Sequence, residues 1–176
     1  ALNYLGAGTF DQFSFKLTNV VIHLVNTLLV YFLARALVRA SSATTATLGH
    51  TSLPGRENIP WVAIVVTAIW ALHPLQLTNI LYGVQRMNSL ACLVTLTGVL
   101  VFMVGRKRLS EGRAGGWRYT IGGVVAGTVL GVFAKENAIV LPGLAFVIEL
   151  TVFRGLAAGH TLRPKLLTFY SVVLFI

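Results

Sequence analysis

Long apolar runs are the feature of this sequence that most limits how the chain can fold. Five runs of about 15 to 25 residues and the start of a sixth alternate with polar stretches. An α-helix of about 20 residues reaches across the hydrocarbon core of a membrane. Hydrophobic residues make up 56% of the chain and charged residues only 11%, which are too few to cover a water-facing surface. The sequence therefore predicts an all-α fold, a polytopic transmembrane helical bundle.

The predicted spans follow these apolar runs. We expect them at about residues 15–38, 60–77, 80–104, 119–133 and 138–153, with a sixth that begins near 166 and continues through 176. The stretch 39–59 is rich in Ser, Thr and Gly and is predicted to be an exposed loop. The chain starts without the basic and apolar regions of a signal peptide, and its last run ends without a polar flank. Residues 1–176 are therefore expected to be a partial transmembrane domain.

The basic residues are divided unequally between the two ends of the predicted spans. Lys16, Arg86 and Lys135 lie on one side, which leaves 11 of the 14 Lys and Arg residues on the other. Cytoplasmic loops of membrane proteins are enriched in Lys and Arg. The basic stretches 39–59 and 105–118 are therefore predicted to be cytoplasmic, and the three remaining cations are predicted to lie near the outer face.

Composition and spacing argue against several classes of function. Nucleic-acid binding needs basic residues clustered on a water-facing surface, but here they sit in gaps between apolar runs, as Arg106, Lys107 and Arg108 do, although the net charge is +9. The four His residues and the single Cys92 do not have metal-ligand spacing. The sequence also contains no nucleophile motif, no phosphate-binding glycine loop and no pair of neighbouring carboxylates. The residues alone therefore identify no catalytic group and no cofactor, and nucleic acid is not expected as a partner.

Three groups of polar residues lie towards the predicted outer side. Ionisable residues inside a membrane are costly and usually face the interior of a bundle or a wet cavity. The groups are Lys16, Asn19, His23 and Asn26 on one face of the first span, Tyr82, Arg86 and Ser89 on the third, and Lys135 and Glu136 in the joint before the fifth.

A structural interpretation of each group stays open beside a functional one. The Asn residues and His23 can hydrogen-bond between helices. Arg86 can extend outward to lipid headgroups, and Lys135 and Glu136 can form an ordinary turn.

Two further motifs are expected to be structural. Pro74 disfavours helix at the residue before it, so His73 and Pro74 are predicted to form a helix terminus. Gly123, Gly127 and Gly131 recur every four residues and predict a small-residue stripe for close packing of the fourth span.

Several short segments, taken in order, resemble a known family. They are Leu2–Tyr4, Phe15–Asn19, His23–Asn26, His73–Gln76, Val84–Met87 and Ala134–Asn137 with Leu141 and Pro142. Together they resemble the membrane domain of bacterial tetratricopeptide-repeat (TPR) proteins, which are similar to the transmembrane-and-TPR O-mannosyltransferases of animals. The resemblance covers nearly the whole chain and implies a GT-C-like fold.

The resemblance also implies a function. Enzymes of this kind take a sugar from a polyprenyl-phosphate donor and pass it to an acceptor on the periplasmic face of the bacterial inner membrane. The catalytic acid of the family lies in the first outer loop, expected upstream of Ala1 together with an additional helix, and repeats are expected downstream. The partners implied are membrane lipids, the lipid-linked sugar, and a protein acceptor or a larger membrane complex.

A lipid phosphate needs cations near the membrane boundary. Arg86, Lys135 and Lys16 are the cations on the outer side that could supply this charge. The residues expected to bind the substrate are Arg86, Lys135, Glu136, His73, Gln76 and His23. A non-catalytic GT-C-like subunit or scaffold in a larger complex is the alternative. A transporter would need broken helices in two matched halves, and the sequence shows no such repeat.

Overall fold

The chain folds into helices because its apolar runs satisfy their backbone hydrogen bonds internally. The computed structural model describes residues 12–47, 55, 57–82, 85–153, 168, 169 and 171, and these include no β-strand. The helices are α1 (Gln12–Thr47), α2 (Ile59–Ala71), α3 (Pro74–Leu81), α4 (Arg86–Ser110), α5 (Gly116–Ala134) and α6 (Leu141–Ile148). A 3₁₀ turn, Glu136–Val140, precedes α6, and a π-helical segment, Glu149–Phe153, follows it. The predicted all-α class is confirmed.

Several of these helices have the length and composition of membrane spans. Within the described residues, four stretches are long and apolar enough to cross a membrane, and the bent pair α2–α3 would make a fifth if it forms one span. The four are Phe13–Ala46, Arg86–Ser110, Gly116–Ala134 and Glu136–Phe153. Many of their large apolar side chains are exposed, among them Phe133 at 86%. The fold is therefore compatible with a multi-pass membrane protein.

Helix α1 is longer than predicted. The predicted loop at 39–59 is wrong over its first part, because the helix continues to Thr47. Residues 39–47 contain three Ala and neither Gly nor Pro, so no helix breaker occurs in them. Leu37 and Ala40 also pack against the hydrophobic core, which stabilises this part of the helix through tertiary contacts.

The chain breaks between α2 and α3 as Pro74 predicts, but a new helix begins there. The axes of α2 and α3 differ by 59°. His73 has an extended backbone, and its Nδ1 accepts a hydrogen bond from the N–H of Leu75 at 3.2 Å, which caps the new helix. Proline is well tolerated in a first turn, where its missing N–H has no acceptor. The helix boundaries therefore differ from those of the second predicted span, 60–77, and of the third, which was predicted to start at 80.

The later predicted spans can be compared with the helices one by one. The fourth, 119–133, lies within α5, and the fifth, 138–153, coincides with the stretch from the 3₁₀ turn to the π-helical segment. The sixth, from 166, lies largely outside the described residues.

The closest helix contact joins α4 to α5 through glycine. A Cβ atom added at Gly123 would lie 2.7 Å from the carbonyl oxygen of Gly98 and 2.7 Å from the amide nitrogen of Phe102. A Cβ added at Gly127 would lie 3.0 Å from the Cα of Gly98. The backbones therefore touch directly, and the predicted stripe at Gly123, Gly127 and Gly131 is confirmed as a packing surface.

The hydrophobic core lies beside this contact, towards the end of α4 that carries Ser110. Its buried side chains come from α4, α5, α6 and the π-helical segment, and residues in the second half of α1 cover it. The buried members are Val99, Phe102, Met103, Val124, Leu141, Ala145, Ile148 and Phe153.

Gly123→Ala should lower the free energy of unfolding by about 1–3 kcal/mol, because the added methyl group forces two backbones apart. Gly122→Ala is the matched control, since a Cβ there meets no atom within 4 Å. Reversible unfolding in mixed detergent micelles measures both. Equal stability of the two variants would contradict the close contact.

Candidate functional site

The register of α4 against α5 brings two predicted site residues to the same end of the bundle. The two helices are antiparallel. Gly105 lies opposite Thr120, Gly98 opposite Gly127 and Val94 opposite Gly131, because these residues have atoms within 4 Å of a Cβ atom added at the glycine. Continuing this register places Lys135 at the level of Leu90, about one helical turn, or ~6 Å, from the level of Arg86. Two of the three cations that are predicted to lie on the outer side, Arg86 and Lys135, therefore share one end of the α4–α5 pair.

Arg86 is held against α1. Its Nε donates to Oδ1 of Asn19 at 3.0 Å, and its Nη2 donates to the carbonyl oxygen of Phe15 at 3.1 Å. The guanidinium carbon also lies 5.1 Å from the centroid of the Phe15 ring, within cation–π range. These contacts direct the guanidinium towards α1 rather than outward into lipid headgroups.

Asn19 connects three helices. Its side chain is buried, and its Nδ2 donates to the carbonyl oxygen of Ile80 at 3.2 Å while its Oδ1 accepts from Arg86. Two helical turns further along α1, Nδ2 of Asn26 donates to the carbonyl oxygen of Ser89 at 2.9 Å. The interpretation of the Asn residues as hydrogen-bonding groups between helices is therefore confirmed.

His23 meets α2 through its ring instead of through a hydrogen bond between helices. The imidazole stacks on the indole of Trp70, with centroids 5.6 Å apart and planes 14° from parallel. His73 lies one turn beyond Trp70 and caps α3. Gln76, on α3, accepts a hydrogen bond at its Oε1 from Nδ2 of Asn79 at 2.9 Å. His23, His73 and Gln76, three of the predicted substrate-binding residues, thus make contacts within the protein near the end of the bundle that contains Arg86.

Lys135 and Glu136 form the tight turn between α5 and α6. The N–H of Lys135 donates to the carbonyl oxygen of Gly131 at 2.9 Å and closes α5, and the carbonyl oxygen of Lys135 accepts from the N–H of Ala138 at 3.1 Å. Lys135 is half-buried and Glu136 is exposed. This geometry fits the interpretation of Lys135 and Glu136 as an ordinary turn. The turn also fixes the position of the Lys135 backbone, from which the side chain with its ammonium group extends.

A buried ion pair lies at the opposite end of the bundle, where the sequence predicted only a basic loop. The guanidinium of Arg106 is fully buried, and its Nε and Nη2 donate to the two carboxylate oxygens of Glu149 at 2.5 and 2.7 Å. Its carbon lies 4.8 Å from the centroid of the Phe153 ring. Arg106 is therefore not a loop cation, which corrects the charge division from 11 to 10 against three and leaves its direction unchanged.

The signal for this pair was present in the sequence. Glu149 is the one carboxylate inside the fifth apolar run, and a carboxylate in such a run requires a buried partner. Its partner could not be identified because it lies 43 residues away in the chain. Arg106 is 20 positions along α4 from Arg86, or about 30 Å. The bundle thus carries one polar cluster near each end.

The chemistry at the Arg86 end consists of cations, hydrogen-bonding groups and the exposed carboxylate of Glu136. Two cations can hold an anion here, because guanidinium and ammonium groups form charge-assisted hydrogen bonds with phosphate or carboxylate oxygens. In the described part of the chain, no three His, Cys, Asp or Glu side chains are grouped to hold a metal ion.

Comparison with known proteins leaves the resemblance to the TPR-linked family a prediction. No family model matches the chain, and no match is found to a curated protein or to a solved structure.

Arg106→Ala should lower the free energy of unfolding by about 3–5 kcal/mol, because it leaves the carboxylate of Glu149 buried without its partner. The double variant Arg106→Leu/Glu149→Leu should recover most of this loss, since an apolar pair replaces both charges. Unfolding in mixed detergent micelles measures each variant.

The control for this prediction is Arg113→Ala, which breaks the exposed 3.1 Å contact with Glu111 and should cost at most about 1 kcal/mol. An Arg106→Ala variant as stable as this control would show that the buried pair is not formed.

Proposed function

We propose that this chain is part of the membrane domain of a glycosyltransferase that takes a sugar from a polyprenyl-phosphate donor. Arg86 and Lys135 bind the phosphate of that donor at the outer end of the bundle. The observation that carries the proposal is the register of α4 on α5, which puts these two cations within about one turn of each other along the helix axis. Neighbouring helices pack 8–10 Å apart, so both side chains can reach one phosphate group.

The contacts of Arg86 support a binding role because they fix the orientation of its guanidinium. Oδ1 of Asn19 and the carbonyl oxygen of Phe15 hold it, and Asn19 is itself tied to α3. A side chain that is oriented before the ligand arrives loses less conformational entropy on binding. Lysine cannot replace this arginine, because a single ammonium group lacks the separate Nε and Nη2 donors that contact Asn19 and Phe15.

The division of basic residues supports the location. By position in the sequence, ten of the Lys and Arg residues belong to the other side of the predicted spans and three belong to this one, so the positive-inside rule predicts that the Arg86 end is outside. In a bacterial inner membrane this end would face the periplasm, which is the side on which enzymes of the resembled family act.

A non-catalytic membrane subunit is the second candidate. It is favoured by the engagement of Asn19, His23 and Asn26 in contacts between helices, which hold a bundle together without any need for a substrate. The two candidates differ in sugar transfer: a scaffold that binds the lipid would not pass the sugar on.

Arg86→Lys and Lys135→Gln should each weaken binding of a polyprenyl monophosphate by about 10- to 100-fold, the equivalent of one charge-assisted hydrogen bond. The affinity is measured by titration of the full chain in lipid nanodiscs. Arg113→Gln, a matched removal of one exposed cation at the opposite end, should leave it unchanged.

Unchanged affinity in both Arg86→Lys and Lys135→Gln, with both variants folded, would overturn the proposed site. Normal binding without transfer of a radiolabelled sugar by the protein in its native membrane would favour the scaffold over the enzyme.

A further inference from the structure

On helix α3 the leucine side chains are exposed, and two polar side chains lie on the less exposed side. This is the reverse of a surface helix in a water-soluble protein. Leu75, Leu77 and Leu81 are 71%, 57% and 51% exposed. Gln76 and Asn79 lie on the less exposed side and hydrogen-bond to each other at 2.9 Å. In water the leucines of such a helix would face the protein.

The exposed apolar surface of α3 continues along α2. Trp61, Val65 and Ile69 lie at four-residue intervals on one face of α2 and are 67%, 56% and 65% exposed. Leu72, at the bend itself, is 83% exposed and joins this face to the leucines of α3. The apolar surface of α2 thus continues through Leu72 onto the leucines of the short helix, where His73 and Thr78 are the exposed polar residues.

The angle of α3 keeps it shallow. The 13 residues of α2 are about 20 Å long and the eight of α3 about 12 Å. Because the axes differ by 59°, α3 adds only about 6 Å along the direction of α2. With α2 along the membrane normal, the pair rises about 26 Å, less than the ~30 Å hydrocarbon core. Helix α3 therefore runs mostly parallel to the plane of the membrane rather than along its normal.

We infer that α3 is an interfacial helix that lies in the outer lipid leaflet. Its leucines contact acyl chains, and its Gln76–Asn79 side faces the bundle. Lipid hydrocarbon is the occupant of the exposed face because that face continues the apolar face of α2. Burying a face of this kind by about 5–10 Å in the headgroup and acyl boundary is what holds such helices at a membrane.

This placement sets the depth of the cation cluster, whether or not the proposed function holds. Asn19 joins the carbonyl oxygen of Ile80 on α3 to the guanidinium of Arg86. An α3 that lies in the leaflet therefore keeps Arg86 at the level of the lipid headgroups, below bulk water.

The test uses single cysteines labelled with an environment-sensitive fluorophore, in the full chain in phosphatidylcholine vesicles, with Cys92 replaced by Ser. The outward positions are Leu75→Cys, Leu77→Cys and Leu81→Cys, and the matched inward position is Asn79→Cys. Lipids brominated on their acyl chains should quench the outward labels severalfold more than the inward one. A label at Ala114, exposed in the turn before α5, should be quenched by aqueous iodide instead.

Two results would overturn the placement. Quenching of the three outward labels by iodide and not by brominated lipid would put α3 in water. Resistance of these labels to both quenchers would mean that protein covers the leucines. The outward positions decide the outcome even if Asn79→Cys fails to fold, because their side chains are exposed and tolerate a label.

Discussion

The contact of α4 with α5 at Gly98, Gly123 and Gly127 is the constraint on which the rest of the bundle depends. Lipid is as apolar as the helices, so association in a membrane rests on close packing and not on the hydrophobic effect. Glycine permits that packing, and the methyl group of Leu141 fills the remaining space beside Gly98 and Gly127, which attaches α6 at the same place. The register fixed here also sets the level of Lys135 relative to Arg86.

Buried polar contacts then determine which face of each helix turns inward. Asn19 and Asn26 attach α1 to α3 and α4 through hydrogen bonds whose loss in a membrane would be costly. The pair Arg106–Glu149 attaches the π-helical segment to α4 at the other end. π-Helical turns are rare and are often found at functional sites. Here Glu149, which forms the ion pair with Arg106, is the first residue of the π-helical segment.

Sequence reasoning succeeded where a local rule decides the outcome. The apolar runs predicted the helical class, the four-residue spacing predicted the glycine surface at Gly123 and Gly127, and Pro74 predicted the break after α2. It failed where packing or distant partners decide. Ala40 prolongs α1 by contacting the core, α3 forms beyond the break, and the partner of Arg106 is 43 residues away. At the candidate site, the polar residues were predicted but their neighbours were not, because those neighbours come from other helices.

The central claim is that the polar face of α1 turns inward onto α4. Cysteines at Asn26 and Ser89, with Cys92 replaced by Ser, test it by treatment in membranes with a short bifunctional thiol-reactive reagent, such as a bis-methanethiosulfonate, and mass spectrometry of the proteolysed chain. The account predicts a cross-linked peptide, because the Asn26 amide nitrogen lies 2.9 Å from the carbonyl oxygen of Ser89. A cysteine at Leu24, which is 61% exposed, should not cross-link to position 89. Cross-linking from position 24 and not from position 26 would contradict the account.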